Sequence, residues 1–172
     1  DPKVLDVFKK IPREDFVPQQ YKGLAFADIE VPLDEGQQML SPKIEGRILQ
    51  ALAIKPTDKV LEIGTGAGYL TALLATQAKQ VDSIDLHAKL SVQAAKNLAA
   101  HKIKNVKLIV AGEFYENQDK YLQQIASSGI KDAVILHTHF IPKDDVSAYF
   151  CASDLVVQPY KHATQSGITQ IA

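Results

Sequence analysis

The chain has 172 residues, 46% hydrophobic and 23% charged, which is single-domain length and ordinary globular composition. A net charge of −1 leaves no basic footprint for nucleic acid or an acidic membrane surface, and the short apolar runs exclude a membrane span. A single cysteine, Cys151, excludes an internal disulfide framework and reads as a core thiol. The start, Asp1-Pro-Lys, is no signal peptide, and a reducing cytoplasmic setting is expected.

Residues 3–10 place Val4, Leu5, Val7 and Phe8 at helical spacing, and Pro12 ends that helix. Pro18, Gly23, Pro32, Gly36 and Pro42 make 13–42 loop-rich, with a short strand expected over 26–33. Ser41-Pro42 opens a helix, Ser41 as N-cap, with Ile44, Ile48, Leu49 and Leu52 on its apolar face. Residues 59–63 then form the first core strand. A helix over 69–78 buries Leu70, Leu73 and Leu74, and a second strand covers 80–85. Further elements are a helix at 88–101, a strand at 106–110, a helix at 116–127, a strand at 132–136, a helix from Pro142 to Phe150, a strand at 154–157 and a final helix at 164–172. Alternation of this kind predicts α/β: a Rossmann-like, doubly wound parallel sheet of about five strands in three layers, with a helical N-terminal extension. Among possible strand orders, 3-2-1-4-5 is expected over 4-3-2-1-5, with the glycine turn and the Pro142 loop at the switch point.

The chemistry concentrates in Val60-Leu-Glu-Ile-Gly-Thr-Gly-Ala-Gly-Tyr69. A β-branched strand runs into Gly64, Thr65, Gly66 and Gly68, and a helix starts at once. Glycines allow close backbone approach, and free N–H groups at a helix start favour polar or anionic ligand groups. Asp85 closes the second strand about twenty residues on, where a carboxylate can accept both hydroxyls of a ribose. Glu62 stands two positions before the first glycine. Together these residues predict an adenosine-type small-molecule cofactor site. The spacing G-x-G-x-G is not the G-x-G-x-x-G of dinucleotide sites.

Glu62-Ile-Gly-Thr-Gly-Ala-Gly-Tyr resembles the S-adenosylmethionine motif of class I methyltransferases. With Ile11-Pro-Arg-Glu-Asp-Phe-Val-Pro18, Val31-Pro-Leu, Gly36-Gln37, Pro42 and Ser83-Ile-Asp85, residues 1–106 resemble the protein-L-isoaspartate O-methyltransferase family. The resemblance implies S-adenosylmethionine as cofactor and S-adenosylhomocysteine as its product. It places the glycine loop on the methionine part, Asp85 on the ribose and, one place late, Glu113 after Gly112 beside the adenine. The family's substrate segment reads Gly-Gln-Thr-Ile-Ser-x-Pro, whereas this chain reads Gly36-Gln-Gln-Met-Leu-Ser-Pro42. Leu40 stands where the family has serine. Ser41 is the remaining catalytic candidate, one residue displaced, and impaired catalysis is the expectation.

Residues 107–172 resemble something else. Ala111-Gly-Glu-Phe-Tyr115, Val134-Ile-Leu-His with Phe140-Ile-Pro142, Ala152-Ser-Asp-Leu-Val-Val157 and Ala163-Thr-Gln-Ser-Gly167 are similar to the C-terminal nucleotide-sugar-binding domain of two-domain glycosyltransferases, a resemblance that implies strand order 4-3-2-1-5 where the methyltransferase one implies 3-2-1-4-5. The alternative to a methyltransferase-like domain is therefore a recombined or engineered scaffold without catalysis. Nucleotide-sugar transfer is a third reading, which needs elements expected beyond Ala172. His137 and His139 sit on one side of a strand end, but no third ligand is evident, so no metal is expected. Oligomeric state is not legible.

Overall fold

The computed structural model describes residues 1–111, 118–127, 131–137 and 142–158. Helix α1 (Pro2–Lys10) is capped by the Asp1 side chain, which accepts from the Lys3 N–H at 2.9 Å. It buries Val4 and Val7 against α2 (Pro42–Leu52), where Gly46 leaves room for the Phe8 ring. Between them lies a two-stranded antiparallel hairpin, β1 (Val31–Pro32) and β2 (Gln38–Met39). The strand expected over 26–33 is thus reduced to its last residues. Phe26 and Ile29 are exposed, so nothing apolar holds the earlier part extended.

The main sheet contains β3 (Lys59–Ile63), β4 (Gln80–Asp85), β5 (Val106–Ala111), β6 (Val134–His137) and β7 (Leu155–Val157), all parallel. Helices α3 (Tyr69–Ala75), α4 (Ala88–Ala100), α5 (Gln118–Ser127) and α6 (Lys143–Cys151) connect them. The first three links step outward in one direction. Right-handed crossovers therefore put α3, α4 and α5 on one face, and the returning link through α6 on the other. The result is the three-layered α/β fold read from the sequence.

The strand order differs from expectation. It runs β6-β5-β4-β3-β7, which is 4-3-2-1-5 in core-strand numbering. Leu108, Ile109 and Val110 pair with Val134, Ile135 and Leu136, so β5 is internal rather than an edge. The physical reason lies in β5 itself. Leu108, Ile109 and Val110 point to alternating faces, yet all three are buried, and an edge position would also leave one row of its backbone groups unpaired. The reversal of winding falls between β3 and β7, so the glycine turn still sits at the switch point. The Pro142 loop does not; it follows β6 at the far edge.

Side chains fasten this arrangement. The Lys59 N–H donates to Asp154 Oδ2 at 2.8 Å and the Asp154 N–H returns to the Lys59 carbonyl at 2.9 Å, fixing β7 beside β3. Asn105 donates to the carbonyls of Ala75 and Ala78, closing the end of α3. That closure explains why α3 stops at Ala75, short of the expected 78. Cys151 is exposed, not a core thiol, because the last turn of α6 faces solvent. The expected helix over 164–172 lies outside the described residues. Among the described residues no helix is long and apolar enough to cross a membrane.

Candidate functional site

β3 ends at the glycine turn. Gly64, Gly66 and Gly68 have φ of +107°, +54° and +83°, a region that side chains rarely adopt. The turn is held from both flanks. The Gly64 N–H donates to the Ile84 carbonyl at 2.7 Å, the Gly66 N–H to Asp85 Oδ2 at 3.0 Å and the Gly68 N–H to the Thr65 carbonyl at 2.9 Å. Asn97 of α4 donates to the Ala67 carbonyl at 3.0 Å. Gly68 is a packing residue as well. A Cβ there would stand 2.9 Å from the Ala94 Cβ and 3.2 Å from its Cα. Gly68→Ala is expected to cost about 2–4 kcal/mol from the left-handed backbone and overpacking. At this chain length that is a Tm lower by roughly 5–10 °C in a calorimetric scan. A loss under 1 °C would show that α4 yields freely.

Asp85 and the turn are brought together. The Asp85 Oδ1 accepts the His87 N–H at 2.8 Å while Oδ2 takes Gly66. Two of about four acceptor positions on the carboxylate are thereby used, leaving capacity for ligand hydroxyls. Thr65 is buried, its Oγ1 2.6 Å from Ser83 Oγ. Ser83 donates to Glu62 Oε2 at 2.6 Å, and Thr71 of α3 donates to the same oxygen at 2.5 Å. Glu62 is 0% exposed, so it sits beneath the turn and not in the cleft, and its Oε1 has no partner. Burial raises its pKa from 4.5 to about 7, against the lowering effect of those two hydrogen bonds.

The N-terminal extension roofs the turn. A small pocket of about 50 Å³ separates Gly64–Gly66 from Leu33, Met39 and Leu40. Arg13, 2% exposed, forms an ion pair with buried Glu45 and donates to the Leu40 carbonyl at 2.5 Å. Its guanidinium lies 5.1 Å from the Tyr69 ring centre, and the Tyr69 hydroxyl donates to the Ile11 carbonyl at 3.4 Å. Burial raises the Tyr69 hydroxyl well above its ordinary value. Lys89 pairs with Asp34 at 3.1 Å, tying the hairpin turn to the start of α4. A wider cleft of about 570 Å³ between residues 15–22, α4 and α5 shares Leu33 and Ala67 with the small pocket.

Ser41 stands at the N-cap of α2, but its hydroxyl makes no capping bond. Its carbonyl instead accepts the Ile44 and Glu45 N–H groups. The helix face also differs from expectation, with Ile44 exposed and Glu45 buried beside Leu49. Glu45, Leu49 and Leu52 fall at i, i+4 and i+7, so a carboxylate inside the apolar stripe was the available signal for the Arg13 pair. No comparable pattern marked Ser83 and Thr71. Glu113 and His139 lie outside the described residues, and His137 Nδ1 is 3.2 Å from the Tyr149 hydroxyl.

Comparison with known proteins matches these features to one family over most of the chain. The model of protein-L-isoaspartate(D-aspartate) O-methyltransferase matches residues 1–124, and that of glycosyl transferases group 1 matches residues 85–169. A protein-L-isoaspartate O-methyltransferase of Koribacter versatilis is 43% identical over 109 residues, which is 63% of this chain and 49% of that relative. The chain spans about half the length of the curated relatives it matches. A solved protein-L-isoaspartate O-methyltransferase superposes with TM-score 0.56 at 24% identity, covering 64% of this chain and 37% of that one. A Plasmodium falciparum chain of the same type, solved with S-adenosyl-L-homocysteine, gives TM-score 0.53 at 16% identity over 72% of each chain. Those two likenesses establish the shared fold, and the match over residues 1–124 establishes that the chain belongs to the protein-L-isoaspartate(D-aspartate) O-methyltransferase family.

Proposed function

We propose that this chain is an S-adenosylmethionine-binding, methyltransferase-like domain whose transfer to isoaspartyl peptides is impaired. The observation that carries the reading is the left-handed glycine turn facing Asp85 across the ends of β3 and β4. Gly64, Thr65, Gly66 and Gly68 would hold the methionine part, Asp85 the ribose hydroxyls and Glu113 the adenine edge. Glu62 acts from below, through Ser83 and Thr65. The small pocket against Leu33, Met39 and Leu40 suits the narrow amino-acid end of such a ligand. When bound, the group supplies a methyl activated by a sulfonium. The protein's part is to hold it, exclude water and present an acceptor, and Leu40 brings no hydrogen-bond donor to that task.

The test is a calorimetric titration with S-adenosylhomocysteine. Binding is expected, weaker by roughly ten- to a hundred-fold than where the adenine-facing acid stands at the family's position, because Glu113 comes one place late in the sequence. One hydrogen bond to a charged group is worth ~1.5–3 kcal/mol. Asp85→Ala is expected to abolish it, since the ribose loses its acceptor and the Gly66 N–H its partner. No rise in melting temperature at millimolar ligand would overturn the proposal.

A second reading is favoured by a separate observation. The strand order 4-3-2-1-5 is the one implied by the resemblance of residues 107–172 to glycosyltransferases, and the group 1 glycosyl transferase match covers this part. On that reading the chain is a recombined scaffold that folds but catalyses nothing. Cooperative unfolding unmoved by S-adenosylhomocysteine is its expected signature.

A further inference from the structure

Glu62 is the one carboxyl among the described residues that is wholly enclosed and still has an oxygen without a partner. The elements packed around it bring Thr71 from α3, Ser83 and Asp85 from β4, Val157 from β7 and Thr65 from the turn. Asp85 is the charged group that acts on it, and its negative charge favours the neutral Glu62. Oε1 has no partner, and the burial of this carboxyl favours its neutral form against the two hydrogen bonds that Oε2 accepts. The hydroxyl chain Glu62–Ser83–Thr65 joins this carboxyl to the wall of the glycine turn.

We propose that Glu62 is a proton-linked sensor of cofactor charge: the sulfonium of the methyl donor favours its ionised form, and the uncharged thioether of the product does not. This rests on the reading of the turn as an S-adenosylmethionine site. Donor and product share the same α-ammonium and α-carboxylate, so the sulfonium is the charge that differs, and binding the donor releases more of the Glu62 proton to solvent than binding the product. A group poised near 7 makes that exchange possible at neutral pH. By linkage, affinity for the donor rises with pH across the titration of Glu62 more steeply than affinity for the product. The site thereby prefers substrate to spent product increasingly as pH rises.

The test uses carbon-13 carboxyl NMR of the whole chain from pH 5 to 9, free, with S-adenosylhomocysteine and with S-adenosylmethionine. E62Q assigns the resonance. In the free protein Glu62 is expected to titrate near neutrality. The donor is expected to lower that midpoint by about one pH unit more than the product does, a tenfold rise in relative donor affinity across the titration. In E62Q the ratio of the two affinities is expected to be flat with pH. A free-protein Glu62 that is fully ionised throughout, or equal displacement by both ligands, overturns the proposal. If neither ligand binds, the reading of the site fails and the sensor with it. That failure is distinct from the first, because the free-protein titration needs no ligand.

Discussion

Replacing Arg13 with alanine is expected to remove about 3–5 kcal/mol of stability, measured by urea unfolding, the usual cost of leaving one member of a buried ion pair behind. Arg13 and Glu45 are 2% and 1% exposed, and the guanidinium also serves the Leu40 carbonyl. Its loss orphans a carboxyl and a carbonyl together and removes the cation packed against Tyr69. The penalty has a pH signature. Burial holds the Glu45 pKa at about 7 instead of 4.5, even with Arg13 pulling it down. The folded state therefore binds more protons than the unfolded one between those values, and this contribution is lost as pH rises through that window. Without Arg13 the folded pKa climbs further and the window widens upward. Arg13→Ala should thus cost least near pH 4.5 and most above pH 7. Arg13→Met combined with Glu45→Leu is expected to recover most of the loss, because well-packed apolar residues replace buried pairs at little cost. A single-variant loss below 1 kcal/mol, or one that does not change with pH, would contradict this account.

The glycine turn and its two flanking strands were legible because their signal is local. A β-branched run, three glycines and a strand-closing acid occupy Val60 to Asp85, and they form the strand, the turn and the strand end expected of them. The hydroxyl chain beneath was not legible. Thr65 and Ser83 stand in the motifs but give no sign of a shared hydroxyl chain, and Thr71 none at all, until the pairing of β3 with β4 sets Ser83 opposite Glu62. The strand order failed for a different reason. Right-handed crossovers permit both orders, and apolar runs on β5 and β6 marked neither as an edge. The order shows only in the pairing of Leu108, Ile109 and Val110 with Val134, Ile135 and Leu136, a property of the assembled sheet. Arg13 and Glu45 lie between these cases, since their charges sit in otherwise apolar segments but their partnership spans 32 positions.

Methyl transfer to an isoaspartyl peptide is expected to fall below detection in a labelled-methyl assay, even where S-adenosylhomocysteine binds. The two properties separate because they use different parts of the chain. On the proposed reading, binding would draw on the turn and Asp85, and transfer on the segment after β2, where Leu40 stands in place of the serine of the resembled motif. Leu40 lines the small pocket beside Gly64 and Gly66 and brings no hydrogen-bond donor to its wall. Its backbone carbonyl is fixed by Arg13, which holds the segment in this register. Ser41 cannot substitute without a shift, because its carbonyl is committed to the Ile44 and Glu45 N–H groups at the start of α2. Losing one positioned donor costs about a hundred- to a thousand-fold, and ~1 Å of misplacement about a hundred-fold more. Leu40→Ser restores the donor on the same backbone and is expected to raise the signal at least tenfold over the parent. Ready turnover by the parent chain would overturn the argument. Ser41→Ala would then tell whether the displaced hydroxyl had taken over, since the activity should disappear with it.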